Sequence, residues 1–120
     1  TSGAQICNTL NSLLSKTSDT RRFQRVTIST AALETSVRSS LRNDFPLTLN
    51  VKEMPNYTSG SGHFIAVKGY YFNTSTDFKT ITICDPHPTY SGTYTYTLEE
   101  METAVESSNG YYNRLDASTV

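Results

Sequence analysis

Two stretches decide the fold: Gly-His-Phe-Ile-Ala-Val-Lys-Gly-Tyr at residues 62–70, and Ile-Thr-Ile-Cys-Asp-Pro at residues 81–86. Both are short and rich in β-branched and aromatic residues, a composition typical of strands. Asn-Thr-Ser at residues 73–75 is turn-forming sequence that separates them. We therefore predict an antiparallel hairpin with strands over residues 63–72 and 77–85.

The shortest turn sets the register of this hairpin. A three-residue loop pairs Phe72 with Thr76, and the same register then places His63 directly opposite Asp85. Directly opposed residues share a face of the sheet, with Cβ atoms about 4.5–5.5 Å apart. The sequence therefore predicts a hydrogen bond between this imidazole and this carboxylate, which a slip of one residue would break.

Alternation along the strands assigns the remaining hairpin side chains to faces. The face shared by His63 and Asp85 carries Ile65, Val67, Ile81 and Ile83. Cys84 falls on the opposite face, together with Phe64. We expect Cys84 to be a buried core thiol that points away from His63.

The rest of the chain is predicted as α+β. Residues 53–62, rich in Gly, Ser, Pro and Asn, are predicted as a loop. One folded domain is expected to span residues 1–107, and residues 108–120 are expected to form a loosely held tail. Three helices are predicted: one over residues 4–14, a second that starts from an N-cap at Thr30 and ends near residues 43–44, and a third over residues 98–106 that is capped by Thr97. Strands are also predicted over residues 23–29, 47–51 and 93–97.

Composition narrows the functional classes. The chain has 120 residues, 36% hydrophobic and 18% charged, which suits one folded domain rather than a disordered segment. A net charge of −1 gives no basic surface for nucleic acid or an anionic membrane. Ser, Thr, Asn and Tyr replace much of the usual Lys and Glu, as in secreted bacterial proteins. We expect an extracellular protein with no cofactor and no nucleic-acid or membrane partner.

A His–Asp pair on one sheet face has two interpretations. The catalytic interpretation is that a neutral imidazole accepts a proton from a thiol while the carboxylate fixes its tautomer. The structural interpretation is that His63 is an ordinary strand histidine and Asp85 starts a turn before Pro86. Physical reasoning from the residues alone leaves both open.

Three segments resemble the C39-like peptidases, a family of papain-like cysteine peptidases. Residues 62–70 resemble its Gly-His-aromatic segment, residues 81–86 its hydrophobic segment ending in Asp-Pro, and residues 45–51 the strand before them. Residues 94–105 and 9–14 resemble its closing strand and helix, and a helix that follows the nucleophile.

The resemblance implies a papain-like fold, mainly the antiparallel-sheet half with flanking helices. It also implies hydrolysis of peptide bonds in a peptide or protein substrate by a Cys-His-Asp triad. In that triad His63 matches the base and Asp85 the residue that orients it.

The family's nucleophile lies in a Cys-Gly-Pro motif that opens the first helix, and this chain contains no such motif. Cys7 is a weak nucleophile candidate, because it lies near a helix start where the helix dipole lowers a thiol pKa. Asn8 and Thr9, however, follow it in place of Gly-Pro. The expected nucleophile is therefore on an upstream segment or on a separate N-terminal chain of the same precursor.

Other functions compete with the peptidase. The chain could be a catalytically inactive papain-like module that binds a peptide or protein, or a structural domain with no site. A metal site of Cys84, Asp85 and His87 is disfavoured because the first two lie on opposite faces. A nucleophilic Thr1 is disfavoured because a helix, rather than a strand, follows it.

Overall fold

The protein is α+β, as predicted. The structure, a computed structural model, describes residues 3–17 and 21–116. Its elements are α1 (Gly3–Leu14), β1 (Arg22–Thr27), α2 (Thr30–Arg42), β2 (Leu47–Met54), β3 (Tyr57–Asn73), β4 (Phe78–Asp85), β5 (Gly92–Thr97), α3 (Leu98–Glu106) and β6 (Tyr111–Asp116).

All six strands form one antiparallel sheet in the order β1-β6-β2-β3-β4-β5. Helix α2 connects β1 to β2, and α3 connects β5 to β6 across the sheet. The hairpin of β3 and β4 therefore lies in the interior of the sheet, with a paired strand on each side. This arrangement holds the candidate site on well-supported backbone.

Helices α2 and α3 pack on the same face of the sheet and close the hydrophobic core. Helical spacing places Leu33, Val37 and Leu41 on one stripe of α2: the first two are 0% exposed, and Leu41 packs partly buried against the same core. The same core cluster includes Leu49, Ile81 and Ile83 of the sheet, each also 0% exposed. Side chains of four strands, β2, β3, β4 and β6, thus share one core with the apolar faces of two helices.

The caps of both core helices are side-chain hydrogen bonds. Thr97 caps α3 as predicted, in a capping box in which its hydroxyl accepts from the Glu100 amide and the Glu100 carboxylate accepts from the Thr97 amide. The cap of α2 is Ser29, rather than the predicted Thr30: the Ser29 hydroxyl accepts from the amide of Ala32. Thr30 is instead the first helical residue, and its hydroxyl donates to Glu102 of α3.

Helix α1 covers the free edge of β1. The Asn11 side chain accepts from the backbone amide of Phe23 at 2.6 Å and donates to the carbonyl of the same residue at 2.9 Å. Exposed edge strands carry unpaired amides and carbonyls that invite aggregation. One side-chain amide satisfies both groups at this position, in place of a neighbouring strand.

The prediction of a loose tail over residues 108–120 is wrong for residues 111–116. Those residues form β6, which pairs with β1 on one side and β2 on the other. Tyr112 is 1% exposed, and its hydroxyl bonds the Ser36 hydroxyl and the Ala32 carbonyl of α2. β6 therefore belongs to the domain, since it is the strand with which β1 pairs.

The prediction of a loop over residues 53–62 is also wrong. β2 continues to Met54 and β3 begins at Tyr57, so only Pro55 and Asn56 form the turn. The glycines and serines that suggested a loop lie instead in an irregular part of β3. The ladder between β2 and β3 shifts register between Val51 and Glu53 there.

Adjacent tyrosines of β6 provide a test of its placement. Tyr112→Ala removes a buried ring and should lower the free energy of unfolding by about 3–5 kcal/mol. Tyr111→Ala, the matched control, removes a ring that is 39% exposed and stacks under Arg25, so about 1 kcal/mol or less is expected. Urea unfolding followed by circular dichroism measures both, and equal losses would contradict this strand register.

Candidate functional site

The turn of the β3–β4 hairpin is longer than predicted. Asn73 pairs with Phe78, so the loop has the four residues 74–77, and Phe72 lies opposite Lys79 rather than Thr76. The Asn73 side chain accepts hydrogen bonds from the amides of Ser75 and Thr76, and these bonds stabilise the wider turn.

A β-bulge compensates for this difference in turn length. With the observed turn alone, His63 and Asp85 would fall on opposite faces of the sheet. The register shifts by one residue between Val67 and Gly69, after which Ala66 pairs with Cys84. Extending that register puts His63 diagonal to Asp85 on the same face. The predicted direct opposition is wrong, but the predicted shared face is confirmed.

The diagonal pair is in contact. Nε2 of His63 lies 2.6 Å from Oδ1 of Asp85, whose side chain is 0% exposed, while that of His63 is 17% exposed. An ionised carboxylate only accepts hydrogen bonds, so Nε2 carries the proton and Nδ1 holds the lone pair. No hydrogen bond joins Nδ1 to any backbone or side-chain group that the structure describes, so Nδ1 is the nitrogen available to a reactant.

Irregular backbone just before His63 sets its direction. His63 pairs with Val51, but the next paired residues along the ladder are Thr58 and Glu53, so residues 59–62 of β3 bulge out. Gly62 has φ +88°, a left-handed conformation that glycine adopts without strain. Bulges redirect the side chains beside them, and this one aims the imidazole at the end of β4.

Asp85 accepts hydrogen bonds from three segments of the chain. Besides His63, the Tyr57 hydroxyl donates to Oδ2 at 2.5 Å and the His87 backbone amide donates to Oδ1 at 2.9 Å. Burial alone would raise the pKa of Asp85, but these donors together, Tyr57 foremost, hold it below the ordinary Asp value. The carboxylate is therefore ionised at neutral pH although it is buried.

Aromatic rings enclose the pair. Tyr57 stacks on Tyr90 with ring centroids 4.5 Å apart, and the His87 ring lies edge-on to His63 at 5.4 Å. Nδ1 of His87 accepts from the backbone amides of Thr89 and Tyr90, which fixes the loop after β4. The sequence did not single out Tyr57 or Tyr90 for this site, since one lay in a predicted loop and the other among many tyrosines.

Cys7 is not brought to His63. It lies on α1 beside β1, where its thiol donates to the Phe23 carbonyl at 3.3 Å. Three strand spacings separate β1 from the β3 strand of His63, or about 14 Å at ~4.8 Å each. Burial raises the pKa of Cys7, and nearby Arg25 offsets this only in part. This is the opposite of the lowered pKa that a helix-start nucleophile needs.

Cys84 is half-buried, not the core residue that was predicted. It alternates with the buried Ile83 and Asp85, and so lies on the opposite face from the candidate site, as expected. Its sulfur is 4.0 Å from the Thr93 hydroxyl, and both cysteines are free thiols. Among the described residues, no three His, Cys, Asp or Glu side chains are grouped to hold a metal ion. Thr1 lies outside those residues.

None of the protein-family models, curated proteins or solved structures compared with this chain matches it. No helix among the described residues is long and apolar enough to cross a membrane. The C39-like resemblance and the papain-like fold thus stay predictions, and the functional argument rests on the geometry of the site.

The ionised state of Asp85 predicts a dependence of stability on acid. Its folded pKa is lowered, so its contribution to stability is complete above the ordinary Asp value of about 3.9 and is lost as the pH falls through the lowered value. Asp85→Asn should be less stable than the wild type at pH 7, with a flatter loss of stability between about pH 5 and 2. Urea unfolding at each pH measures this, and parallel curves for the two proteins would contradict it.

The two thiols should differ in reactivity. Cys7 is 6% exposed and has a raised pKa, whereas Cys84 is half-buried near the sheet surface. Iodoacetamide should label Cys84 at least about tenfold faster than Cys7 in the folded chain, and both at similar rates in urea. Mass spectrometry of tryptic peptides gives the two rates. Faster native labelling of Cys7 would mean that its thiol is activated after all.

Proposed function

We propose that this chain supplies the histidine and aspartate of a secreted, C39-like cysteine peptidase with a papain-like fold. The observation that carries the proposal is the orientation of His63, whose Nε2–H is held by a buried carboxylate while Nδ1 stays available. That is the state a general base requires before reaction. The resemblance of residues 62–70 and 81–86 to the family adds independent support.

The proposed reaction uses one nitrogen of the imidazole, Nδ1, first as a base and then as an acid, while Nε2 stays on Asp85. Nδ1 of His63 takes the proton of a cysteine thiol, and the thiolate attacks the carbonyl carbon of the scissile peptide bond. The imidazolium, stabilised by Asp85, returns its proton to the departing amine and leaves a thioester. Nδ1 then takes a proton from a water molecule that attacks the thioester carbonyl, and gives it to the departing sulfur as the C–S bond breaks, so that the carboxylic acid and the free thiol are released.

The thiol in this proposal comes from outside the described residues. Cys7 is buried beside β1 and Cys84 lies on the opposite sheet face, so neither is suited to give its proton to Nδ1. A nucleophile on an upstream segment, or on a separate N-terminal chain of the same precursor, fits the sequence best. A processed enzyme of two chains would remain assembled through buried contacts.

A second candidate is an inactive papain-like module that binds a peptide or protein. It is favoured by the lack of a suitable thiol among the described residues and by an apolar groove of about 320 Å³ on the sheet. The groove is lined by Thr48, Phe64, Ile65, Ala66, Cys84, Asp85 and Pro86. Phe64, Ala66 and Cys84 of this lining lie on the opposite sheet face from His63, so in this case the contact between His63 and Asp85 would serve only to hold β3 and β4 together.

Histidine variants of the natively purified protein test the peptidase. His63→Gln keeps a side-chain N–H near the position of Nε2 but has no base, so hydrolysis of a quenched fluorescent peptide library should fall about 10²–10⁴-fold. His87→Asn is the matched control: its amide oxygen can replace Nδ1 as acceptor of the loop amides, so a change of less than about tenfold is expected.

The outcomes separate the two candidates. Full hydrolysis by the His63→Gln protein would exclude His63 as the base. A wild type that hydrolyses no library peptide under reducing conditions, yet retains peptides in equilibrium dialysis, would support the binding module instead.

A further inference from the structure

One buried hydroxyl at the site has no part in the reaction described above. Tyr57 is 8% exposed, and its hydroxyl donates to Oδ2 of Asp85, while His63 uses Oδ1 of the same carboxylate. Each carboxylate oxygen thus has a different side-chain donor. A hydrogen bond on each side prevents the carboxylate from rotating about its Cβ–Cγ bond.

The position of this hydroxyl is itself fixed by packing. The Tyr57 ring lies parallel to Tyr90, with a 3° angle between the planes, and meets His63 edge-on at 6.3 Å. Tyr96 donates to the side chain of Asn56, which fixes the turn just before Tyr57. A hydroxyl held by stacking and by a braced turn is preorganised, because little motion remains to it.

We infer that Tyr57 is a positioning residue. Its hydroxyl keeps the Asp85 carboxylate ionised and aligned on Nε2 of His63, and it limits how strongly that carboxylate holds the His63 imidazolium. Without the hydroxyl, a buried carboxylate would lose a donor and become more basic. The less satisfied anion would also attract the imidazolium more strongly, so the His63 ring would bind its proton more tightly. The catalytic consequence rests on the proposed function, but the effect on the two titrations does not.

The direction of the titration of Asp85 agrees with this role. Burial is the largest single influence on the pKa of Asp85 and raises it, and the hydrogen bond from Tyr57 is the largest single influence that lowers it. Burial raises the pKa of Tyr57 itself, and the bond to Asp85 raises it further. The hydroxyl therefore stays protonated, and able to donate, throughout the neutral range.

A pair of tyrosine variants isolates the hydroxyl from the ring. Tyr57→Phe keeps the stacked ring and removes the donor, whereas Tyr90→Phe, the matched control, removes a hydroxyl from the other ring of the stack. A hydrogen bond to a charged group is worth about 1.5–3 kcal/mol, which corresponds to about 1–2 pKa units. In Tyr57→Phe the pKa of Asp85 should rise by about that amount and the His63 ring should hold its proton more tightly, whereas Tyr90→Phe should leave both titrations as in the wild type.

Nuclear magnetic resonance on this chain measures both titrations without any need for activity. The His63 ring protons and the Asp85 carboxyl carbon report the two groups separately. Unchanged titrations in Tyr57→Phe, or equal shifts in Tyr90→Phe, would overturn the inference. The dispersion of the amide spectrum shows whether each variant is folded, so that a loss of structure is not mistaken for a change in titration.

Kinetics of the active protein extend the test. Because His63 is the proposed base, Tyr57→Phe should move the acid limb of the kcat/KM profile to higher pH by the shift seen in the spectra. A purely structural role would lower kcat/KM at every pH and leave the limb in place, which contradicts the inference. If the wild type hydrolyses nothing, the proposed function fails, and the titrations alone decide the role of Tyr57.

Discussion

The buried carboxylate of Asp85 is the group on which the arrangement of the site depends. A buried charge without partners is very unfavourable, so its donors must stay in place for the folded state to hold it. Those donors come from the start of β3, from β3 after its bulge and from the loop after β4. One carboxylate thus fixes three segments relative to one another, and its contact with Nε2 sets the tautomer of His63.

Two irregularities of β3 make the contact geometrically available. The bulge at Lys68 shifts the ladder with β4 by one residue, and so returns His63 to the face of Asp85. The bulge at residues 59–62 separates His63 from Tyr57 along the strand while letting both reach the same carboxylate. In a regular strand positions 57 and 63 would share a face but lie about 20 Å apart, at ~3.3 Å per residue, and could not both reach one carboxylate.

Local sequence patterns predicted much of this fold. They did not predict how strands that are far apart in sequence pair with one another. The stripe of Leu33 and Val37 follows from the helical period of 3.6 residues, and the cap at Thr97 follows from a hydroxyl placed just before a helix with glutamates in its first turn. The shared face of His63 and Asp85 was predicted through the wrong register, because the longer turn and the bulge, which are not readable from propensity, cancel in their effect on the face. Strand β6 was missed because its pairing partners lie far away in sequence. Tyr57 was missed because Gly and Ser in the following bulge resemble a loop.

The central proposal is that His63 and Asp85 serve a thiol from outside the described residues. The most direct measurement is intact mass of natively purified protein, under denaturing conditions, after brief alkylation of the native state. We expect a rapidly alkylated cysteine beyond Cys7 and Cys84, on a longer polypeptide or an associated one, and slower alkylation of that cysteine in His63→Gln. A single chain of 13.3 kDa, with thiol reactivity that His63→Gln leaves unchanged, would contradict it.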